Sequence, residues 1–183
     1  RHPHAQMMAL PMVPSEVRVR ADAARAYFDE TGRCAHCAMV EQELAAGQRV
    51  VLESKHFVVF VPYAAASPFH LWIVPRAHAA SFLQSSPDEI ADLGWVVRAV
   101  LRKLYKGLNN PDFNYVIRSA PVRDSGAPYL HWYLSIVPRI SLAAGFEMGS
   151  GIYINPSLPE ECARFLRTVD IDSLEGEAPH ESA

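Results

Sequence analysis

Two cysteines separated by two residues, Cys34 and Cys37, constrain the fold of this chain more than any other feature of its sequence. Two thiolates across a tight turn suit a tetrahedral zinc ion, which needs two more ligands from elsewhere in the chain. His78 follows one predicted strand and His131 lies at the start of another, and strand ends bring distant sequence positions together. These two histidines are therefore the best candidates for the remaining ligands.

Two other interpretations of the cysteine pair stay open, a redox-active dithiol and two reduced thiols without a ligand. The spacing and composition favour zinc over both. His36 lies between the two cysteines, where strain makes it a poorer ligand. The chain has three cysteines, and the third, Cys162, is far downstream. A disulfide scaffold would have more cysteines in a shorter chain, so the sequence predicts a reducing cytoplasm and a metal site.

The order of helices and strands predicts a mixed α+β domain. Strands are predicted from β-rich, partly alternating runs, and helices from apolar residues at helical spacing. The predicted strands cover residues 1–10, 49–54, 57–61, 69–74, 113–118 and 129–137, and the predicted helices cover 21–30, 38–46, 87–106 and 159–168. Most strands are joined by short turns, which predicts a mainly antiparallel sheet with one long helix across it.

Composition narrows the classes of protein and partner. The chain has 183 residues, of which 50% are hydrophobic, enough for one compact domain. A net charge of −3 gives no indication of nucleic acid or an acidic membrane as a partner. The apolar runs are too short to span a bilayer, and no signal-peptide pattern is present. Residues 1–169 are interpreted as one domain, and residues 170–183 as an acidic, disordered tail.

The first residues carry a motif, His2-Pro3-His4-Ala5-Gln6. On an extended segment, His2, His4 and Gln6 share one face because residues two apart point to the same side. An imidazole can attack phosphorus and hold a nucleotidyl group covalently, while an amide can orient phosphate oxygens. The alternative is an ordinary polar segment without a catalytic role. Because the chain opens on this motif, we interpret it as lacking an upstream half.

Two more segments bear on the site. In the strand predicted at residues 129–137, His131 shares a face with Tyr133 and Ser135, whereas Trp132, Leu134 and Ile136 face the other side. A lone histidine on a strand is more often a core residue than a ligand. Residues 145–151 form a glycine-dotted turn whose backbone amides could approach a phosphate, although a plain surface loop is the simpler interpretation.

Together these segments resemble the C-terminal half of the galactose-1-phosphate uridylyltransferase family, within the histidine-triad superfamily. The resemblance rests on His2-Pro3-His4-x-Gln6, Cys34-x-x-Cys37, Phe69–Pro75, Asn114-Tyr115, His131-Trp132 and Gly145-Phe146-Glu147. It extends over residues 1–169 and is strongest to the branch that includes ADP-glucose phosphorylase. It implies a histidine-triad-like fold and two similar halves in the complete protein.

The resemblance also implies a ping-pong reaction on a nucleotide sugar. His4 would become nucleotidylated as a sugar 1-phosphate leaves, Gln6 would bind the phosphate of this intermediate, and Pro3 would fix the backbone between the histidines. His2 would be a ligand of a first zinc ion whose other ligands lie in the upstream half. Glu147 would lie in a loop that reaches the sugar, often across a homodimer interface.

The zinc site of this half would consist of Cys34, Cys37, His78 and His131, as the family resemblance also implies. Because the second-half strand contains His131-Trp132-Tyr133 rather than His-x-His, it would be a degenerate, non-catalytic copy. The resemblance favours a UDP-glucose:hexose-1-phosphate uridylyltransferase, and this half alone is expected to be inactive. The alternatives are an ADP-glucose phosphorylase, a histidine-triad nucleotide hydrolase and an inactive zinc-stabilised domain.

Overall fold

A computed structural model describes residues 4–8, 10–141 and 144–171 and shows an α+β fold, as predicted. The five α-helices are α1 (Ser15–Thr31), α2 (Ala35–Ala46), α3 (Pro87–Gly107), α4 (Gly145–Ser150) and α5 (Pro159–Thr168). The five strands are β1 (Val50–Glu53), β2 (Phe57–Phe60), β3 (Leu71–Pro75), β4 (Phe113–Arg118) and β5 (Tyr133–Pro138). Two short 3₁₀ helices cover Phe82–Gln84 and Val122–Asp124. No helix in these ranges is long and apolar enough to cross a membrane.

The strands form one antiparallel sheet in the order β1-β2-β3-β5-β4. The last two strands are exchanged relative to the chain because β5 pairs with both β3 and β4. One row of side chains crosses the sheet on a single face, since Phe60 lies opposite Trp72, Trp72 opposite Ser135 and Ser135 opposite Val116. This row extends across one face of the sheet from β2 to β4.

The larger hydrophobic core lies between one face of the sheet and helices α3 and α5. On β5 and just before it, Trp132, Leu134 and Ile136 enter this core, as the predicted alternation requires. Helix α3 contributes an apolar stripe at helical spacing, including Val96, Val100 and Leu104. The long helix therefore lies across the sheet as the sequence predicts.

A smaller core covers part of the opposite face. Val40 of α2 packs with Val58, Phe60, Val74 and Tyr133, all of which are buried. Helix α2 thus lies over the β1–β2 side of this face. Towards β4 the same face is open, since Val116 is 42% exposed.

The two ends of α3 carry residues that explain why the start and the end of this helix could be predicted from the sequence. Ser86 and Glu89 form a capping box at the start, and Pro87 occupies the first turn. At the other end, a Cβ atom added to Gly107 would lie 2.9 Å from the Cγ2 of Val169. A glycine is needed here because the chain following α5 packs directly against α3.

A buried ion-pair network joins α2, β1 and α5. The Arg49 guanidinium donates to Glu43, whose side chain is only 4% exposed, and to Glu160 at 2.7 Å. Arg167 donates to the carbonyl oxygens of Gln48 and Val50 on the same edge. These contacts hold α5 against the first strand of the sheet.

Three predicted elements differ in the structure. Residues 4–8 and 10 of the strand expected at 1–10 have no regular secondary structure and lie outside the sheet, because a segment becomes a strand only where a neighbour accepts its hydrogen bonds. The strand expected at 129–137 begins only at Tyr133, because the preceding Trp132 donates its backbone N–H to Ala79. The turn expected at 145–151 forms the short helix α4 instead, with Gly151 as its left-handed C-cap.

Two more predictions concern the first helix and the C-terminal tail. The helix predicted at 21–30 is six residues longer at its start but ends at Thr31, before Gly32, which adopts a φ of 69°. That conformation suits glycine and closes the helix. Residues 172–183 of the predicted tail lie outside the described residues.

Replacing Glu43 by alanine should lower the free energy of unfolding by about 3 kcal/mol, because it leaves the charge of Arg49 partly buried without its main partner. Lys55→Ala is the matched control, since it disrupts an ion pair with Asp88 whose two side chains are 70% and 73% exposed. That control should cost less than about 1 kcal/mol. Urea denaturation measures both, and equal losses would contradict a stabilising role for the buried network.

Candidate metal centre

The structure brings together the four side chains that the sequence singled out as metal ligands. One ligand atom each of Cys34, Cys37, His78 and His131 lies within 4.8 Å of all the others. The Cys37 sulfur is 3.3 Å from Nδ1 of His78 and 3.4 Å from Nδ1 of His131, and the Cys34 sulfur is 4.0 Å from Nδ1 of His131. We refer to these four residues as the Cys/His cluster.

Three different elements supply the Cys/His cluster. Cys34 is the N-cap residue of α2, and Cys37 lies in the first turn of that helix. His78 follows the end of β3, and His131 lies two residues before β5. Because β3 and β5 are antiparallel neighbours, the end of β3 and the start of β5 lie at the same end of the sheet. The start of α2 covers the residues that flank them there.

A backbone hydrogen bond orients His131. Its Nε2 lies 3.1 Å from the carbonyl oxygen of Pro75, which can only accept, so Nε2 carries the proton. The lone pair of Nδ1 is then free to point into the Cys/His cluster. Burial, followed by the nearby His36 and His78, lowers the pKa of His131 to about 3, so the imidazole is neutral. This arrangement is typical of a metal-binding histidine with its outer hydrogen-bond partner.

The Cys37 thiol is held in its protonated state when no cation is present. Burial, together with the adjacent Cys34, raises the pKa of Cys37 to about 12. The Cys34 thiol donates to the carbonyl oxygen of Tyr129 at 3.8 Å. A bound cation would favour the thiolate over the thiol, because a coordinating thiol is deprotonated outright.

The donor set fits a tetrahedral ion. Metal–sulfur and metal–nitrogen bonds of about 2.3 and 2.0 Å at tetrahedral angles place neighbouring ligand atoms roughly 3.6 Å apart. The three sulfur–nitrogen distances in the Cys/His cluster, from 3.3 to 4.0 Å, bracket this value. Cys34 and His131 are buried, Cys37 is half-buried and His78 is exposed, so the cluster opens to solvent on one side. The arrangement can therefore hold a metal ion with two sulfur and two nitrogen ligands.

His36 does not join the Cys/His cluster, as the sequence predicted. Its ring lies against Tyr133, with the ring centroids 5.1 Å apart, and against Trp72 at 6.0 Å. Burial, together with His78, lowers the pKa of His36 to about 4. The side chain packs as a neutral aromatic residue beneath the start of α2.

The other predicted site residues lie elsewhere. His4 and Gln6 are exposed on the segment at residues 4–8, and within the described chain their side chains make no hydrogen bond. His2 lies outside the described residues. Glu147 is on α4, where its carboxylate accepts from the backbone N–H of Ala144 at 3.0 Å. That contact is a helix cap. The backbone N–H of Glu147 itself, followed by that of Ala144, lowers the pKa of the Glu147 carboxyl.

Two supporting interactions around the Cys/His cluster could not be found from the sequence. The acceptor for His131 is a backbone carbonyl, which leaves no signal in residue identity. Arg25 of α1 donates to the hydroxyl of Tyr129 and lies 4.7 Å from its ring centroid. Tyr129 thereby connects α1 to the segment that carries His131.

Cobalt(II) should bind to the Cys/His cluster and give the intense near-ultraviolet absorption of a thiolate–cobalt bond. Cys37→Ser should lower the affinity by more than the roughly 10–100-fold that loss of an outer-shell partner costs, because a direct ligand is removed. Cys162→Ala is the control, since this third cysteine is buried in the α5 core away from the cluster. If the two variants bind cobalt alike, the Cys/His cluster is not the metal site.

Comparison with known proteins places the chain in a family. The family of the galactose-1-phosphate uridyl transferase C-terminal domain matches residues 20–139. ADP-glucose phosphorylase from Arabidopsis thaliana is 43% identical over 172 residues, which cover 93% of this chain and 48% of the relative. Galactose-1-phosphate uridylyltransferase from Thermotoga maritima is 30% identical over 180 residues, which cover 93% of this chain and 56% of the relative.

Solved structures agree with these sequence relationships. The crystal structure of an Arabidopsis thaliana ADP-glucose phosphorylase with bound ADP-glucose superposes with a TM-score of 0.80 at 41% identity, covering 88% of this chain and 51% of that one. A zinc-bound histidine triad family protein from Mycobacterium smegmatis, at 21% identity and a TM-score of 0.51 over 73% of this chain and 90% of that one, shares the fold.

The chain spans about half the length of these two curated relatives, 48% of one and 56% of the other. Its match to the family covers both cysteines, both histidines of the Cys/His cluster and all five strands. The chain belongs to the galactose-1-phosphate uridylyltransferase family and corresponds to the C-terminal domain of its members.

Proposed function

We propose that the protein containing this chain is a nucleotidyltransferase that works through a nucleotidyl-histidine formed on His4. The observation that carries the proposal is the family membership, since residues 20–139 match the family and the relatives are named as nucleotidyl-transferring enzymes. The His2-Pro3-His4-x-Gln6 motif precedes the matched residues, and its role is proposed from its resemblance to the family's motif. The exposed position of His4 is compatible with this role, because a nucleophile must reach a substrate that comes from solution.

The proposed chemistry has two balanced steps. A ring nitrogen of His4 forms a bond to the α-phosphorus of a nucleotide sugar while the bond from that phosphorus to the leaving oxygen breaks, and sugar 1-phosphate departs. An oxygen of the second phosphate then attacks the same phosphorus, and the nitrogen–phosphorus bond breaks. The amide of Gln6 donates to the phosphoryl oxygens without adding a charge. Pro3 restricts the backbone between the two histidines.

Two sets of substrates fit this scheme, and the comparisons favour the adenylyl one. The relative named ADP-glucose phosphorylase is 43% identical, whereas the Thermotoga maritima uridylyltransferase is 30% identical over a similar span. We therefore favour transfer of an adenylyl group from ADP-glucose to inorganic phosphate over the uridylyl transfer to hexose 1-phosphate that the sequence motif first suggested. The uridylyl reaction stays as the second candidate.

We further propose zinc as the ion of the Cys/His cluster, in a structural role. Two thiolates and two imidazoles in tetrahedral arrangement are a typical zinc ligand set. Four protein ligands leave no open position for a substrate, so the ion would stabilise the contact of α2 with the ends of β3 and β5. Reduced thiols of this kind are compatible with a cytoplasmic protein.

Glu147 is proposed to contact the sugar of a bound substrate. It lies on α4 beside two exposed apolar side chains, Phe146 at 55% and Met148 at 76% exposure. Such side chains on a short exposed helix suit a contact with another part of the complete protein or with the second subunit of a homodimer.

Mixing the full-length protein with ADP-glucose should add the mass of one AMP group to the polypeptide, as measured by intact mass spectrometry. UDP-glucose in a parallel sample should add less UMP to the polypeptide, or none, if the protein transfers adenylyl groups. His4→Asn should abolish the adduct, because an amide cannot replace the nucleophilic imidazole. His56→Asn is the matched control, since His56 lies in the β1–β2 turn outside the proposed site.

If the folded, metal-loaded protein forms no adduct, the proposal of a nucleotidyl-histidine intermediate is wrong. A nucleotide hydrolase would release nucleoside monophosphate at the same rate with and without added phosphate or hexose 1-phosphate. An inactive metal-stabilised domain would show neither adduct nor release. Full turnover by His4→Asn would reject His4 as the nucleophile.

A further inference from the structure

The two cysteines of the Cys/His cluster differ in their access to solvent. Cys34 is 6% exposed, whereas Cys37 is half-buried and the neighbouring His78 is exposed. The Cys37 sulfur lies 3.3 Å from Nδ1 of His78, and these two residues form the side on which the cluster opens to solvent. A reagent that arrives from solution therefore reaches the Cys37 sulfur before it reaches that of Cys34.

A small cavity lies beside this open side of the cluster. Its volume is about 80 Å³, and its lining includes His78, Gln84 and Ser125. Because His78 also contacts the Cys37 sulfur, the cavity is one side chain away from that sulfur. A water molecule takes up roughly 30 Å³ in the liquid. The cavity therefore has room for a molecule of the size of hydrogen peroxide but not for a bulky reagent.

The two sulfur atoms lie near enough to form a bond with each other. Both thiols are free, and their sulfur atoms are within 4.8 Å. Cys34 is the N-cap of α2, and Cys37 lies in the first turn of that helix. Helix geometry places the Cα atoms of residues three apart at about 5 Å, and disulfides join Cα atoms about 4.4–6.8 Å apart. A disulfide between the two residues therefore fits the backbone of α2 as it stands.

A bound ion keeps both sulfur atoms in their reactive form. A thiol that coordinates a metal is deprotonated outright, and the thiolate rather than the thiol is the nucleophile. A reactive cysteine that is accessible to solvent and has a second cysteine beside it is typical of redox-sensing sites. Cys37 and Cys34 have this arrangement, in which the more accessible sulfur reacts first and the buried one completes the disulfide.

The third cysteine is kept away from this pair. Cys162 is 3% exposed on α5 and belongs to the larger hydrophobic core, on the opposite face of the sheet from α2. The chain has three cysteines in all, so no other thiol of the chain competes for a bond to Cys34 or Cys37. Oxidation of the pair within this chain therefore has a single disulfide as its product.

We propose that Cys34 and Cys37 are a site of reversible oxidation, at which a hydroperoxide joins the two metal-binding sulfur atoms in a disulfide and the Cys/His cluster loses its ion. This oxidation depends on the metal ion proposed for the cluster, and it does not depend on nucleotidyl transfer at His4. Of the four ligands, the disulfide leaves only His78 and His131, and His78 is exposed. Two imidazoles are two ligands fewer than a structural zinc site has.

The oxidation takes place in two balanced steps. In the first, the Cys37 thiolate attacks one oxygen of hydrogen peroxide, the oxygen–oxygen bond breaks, and hydroxide departs, which leaves a sulfenic acid on Cys37. In the second, the Cys34 thiolate attacks the Cys37 sulfur, the sulfur–oxygen bond breaks, and a second hydroxide departs as the disulfide forms. The two sulfur atoms are oxidised and the two oxygen atoms of the peroxide are reduced.

The structural effect of the oxidation is local. The disulfide lies within α2, and Val40 of that helix stays packed in the smaller core. The oxidised chain loses the connection, through the ion, between the start of α2 and the residues that flank β3 and β5. Backbone amides in the first turn of α2 and around His78 should therefore exchange faster with solvent after oxidation, whereas the amide of Val40 should not change.

The full-length protein is loaded with zinc and treated with hydrogen peroxide, which catalase then removes before a zinc-binding dye is added. We expect release of about one zinc ion per chain. The peptide that contains both Cys34 and Cys37 should lose the mass of two hydrogen atoms. A phosphine reductant followed by fresh zinc should restore the original peptide mass and zinc content.

Cys162→Ala is the matched control, because it removes a buried thiol outside the cluster, and it should release zinc as the unaltered protein does. At saturating zinc, Cys34→Ser should stop after the first step, with one added oxygen atom on Cys37 that a sulfenic-acid reagent traps. Cys37→Ser should form neither product, because the remaining Cys34 is buried. Circular dichroism establishes that each variant is folded.

A zinc-loaded protein that keeps its zinc and both reduced thiols under peroxide would overturn this proposal. Release of zinc while Cys34 and Cys37 stay reduced would overturn it too. Equal formation of sulfenic acid in Cys34→Ser and Cys37→Ser would contradict the order in which the two sulfur atoms react. A folded protein that binds neither cobalt nor zinc before oxidation would overturn the metal proposal as well, so the two failures are distinguishable.

Discussion

The alternation of side chains along and just before β5 is the constraint on which the rest of the structure depends. Trp132, Leu134 and Ile136 pack the sheet against α3 and α5, whereas His131, Tyr133 and Ser135 point to the opposite face, where all three are buried. A shift of one residue would exchange these two sets and place a histidine and a serine in the apolar core. Pairing of β5 with both β3 and β4 fixes this register.

The fold was largely predictable because several independent features of the sequence indicate the same helices and strands. Residues 87–106 have helical apolar spacing, a serine cap and a first-turn proline, and α3 begins where these signals place it. The Cys/His cluster was predictable for a different reason. Ligand chemistry limits the partners of Cys34 and Cys37 to a few residue types, and strand ends were the places where His78 and His131 could meet them.

The remaining features depend on contacts that residue identity does not encode. A strand at residues 1–10 needs a neighbouring strand, which the described sheet does not offer to residues 4–8 or 10. The start of β5 is delayed because Ala79 accepts from Trp132, a backbone contact between distant segments. The proton position on His131 follows only from the hydrogen bond that it makes to the carbonyl oxygen of Pro75. Each of these is a tertiary interaction, so no local pattern predicts it.

The Cys/His cluster and the smaller hydrophobic core meet at the start of β5. His131 is fixed by Pro75 and, in a metal-loaded protein, by the ion, while Tyr133 lies two residues further along the same extended backbone. Tyr133 also packs against His36, which lies between the two cysteines. An ion in the Cys/His cluster would therefore hold the start of α2 against the Tyr133 ring and the end of β3.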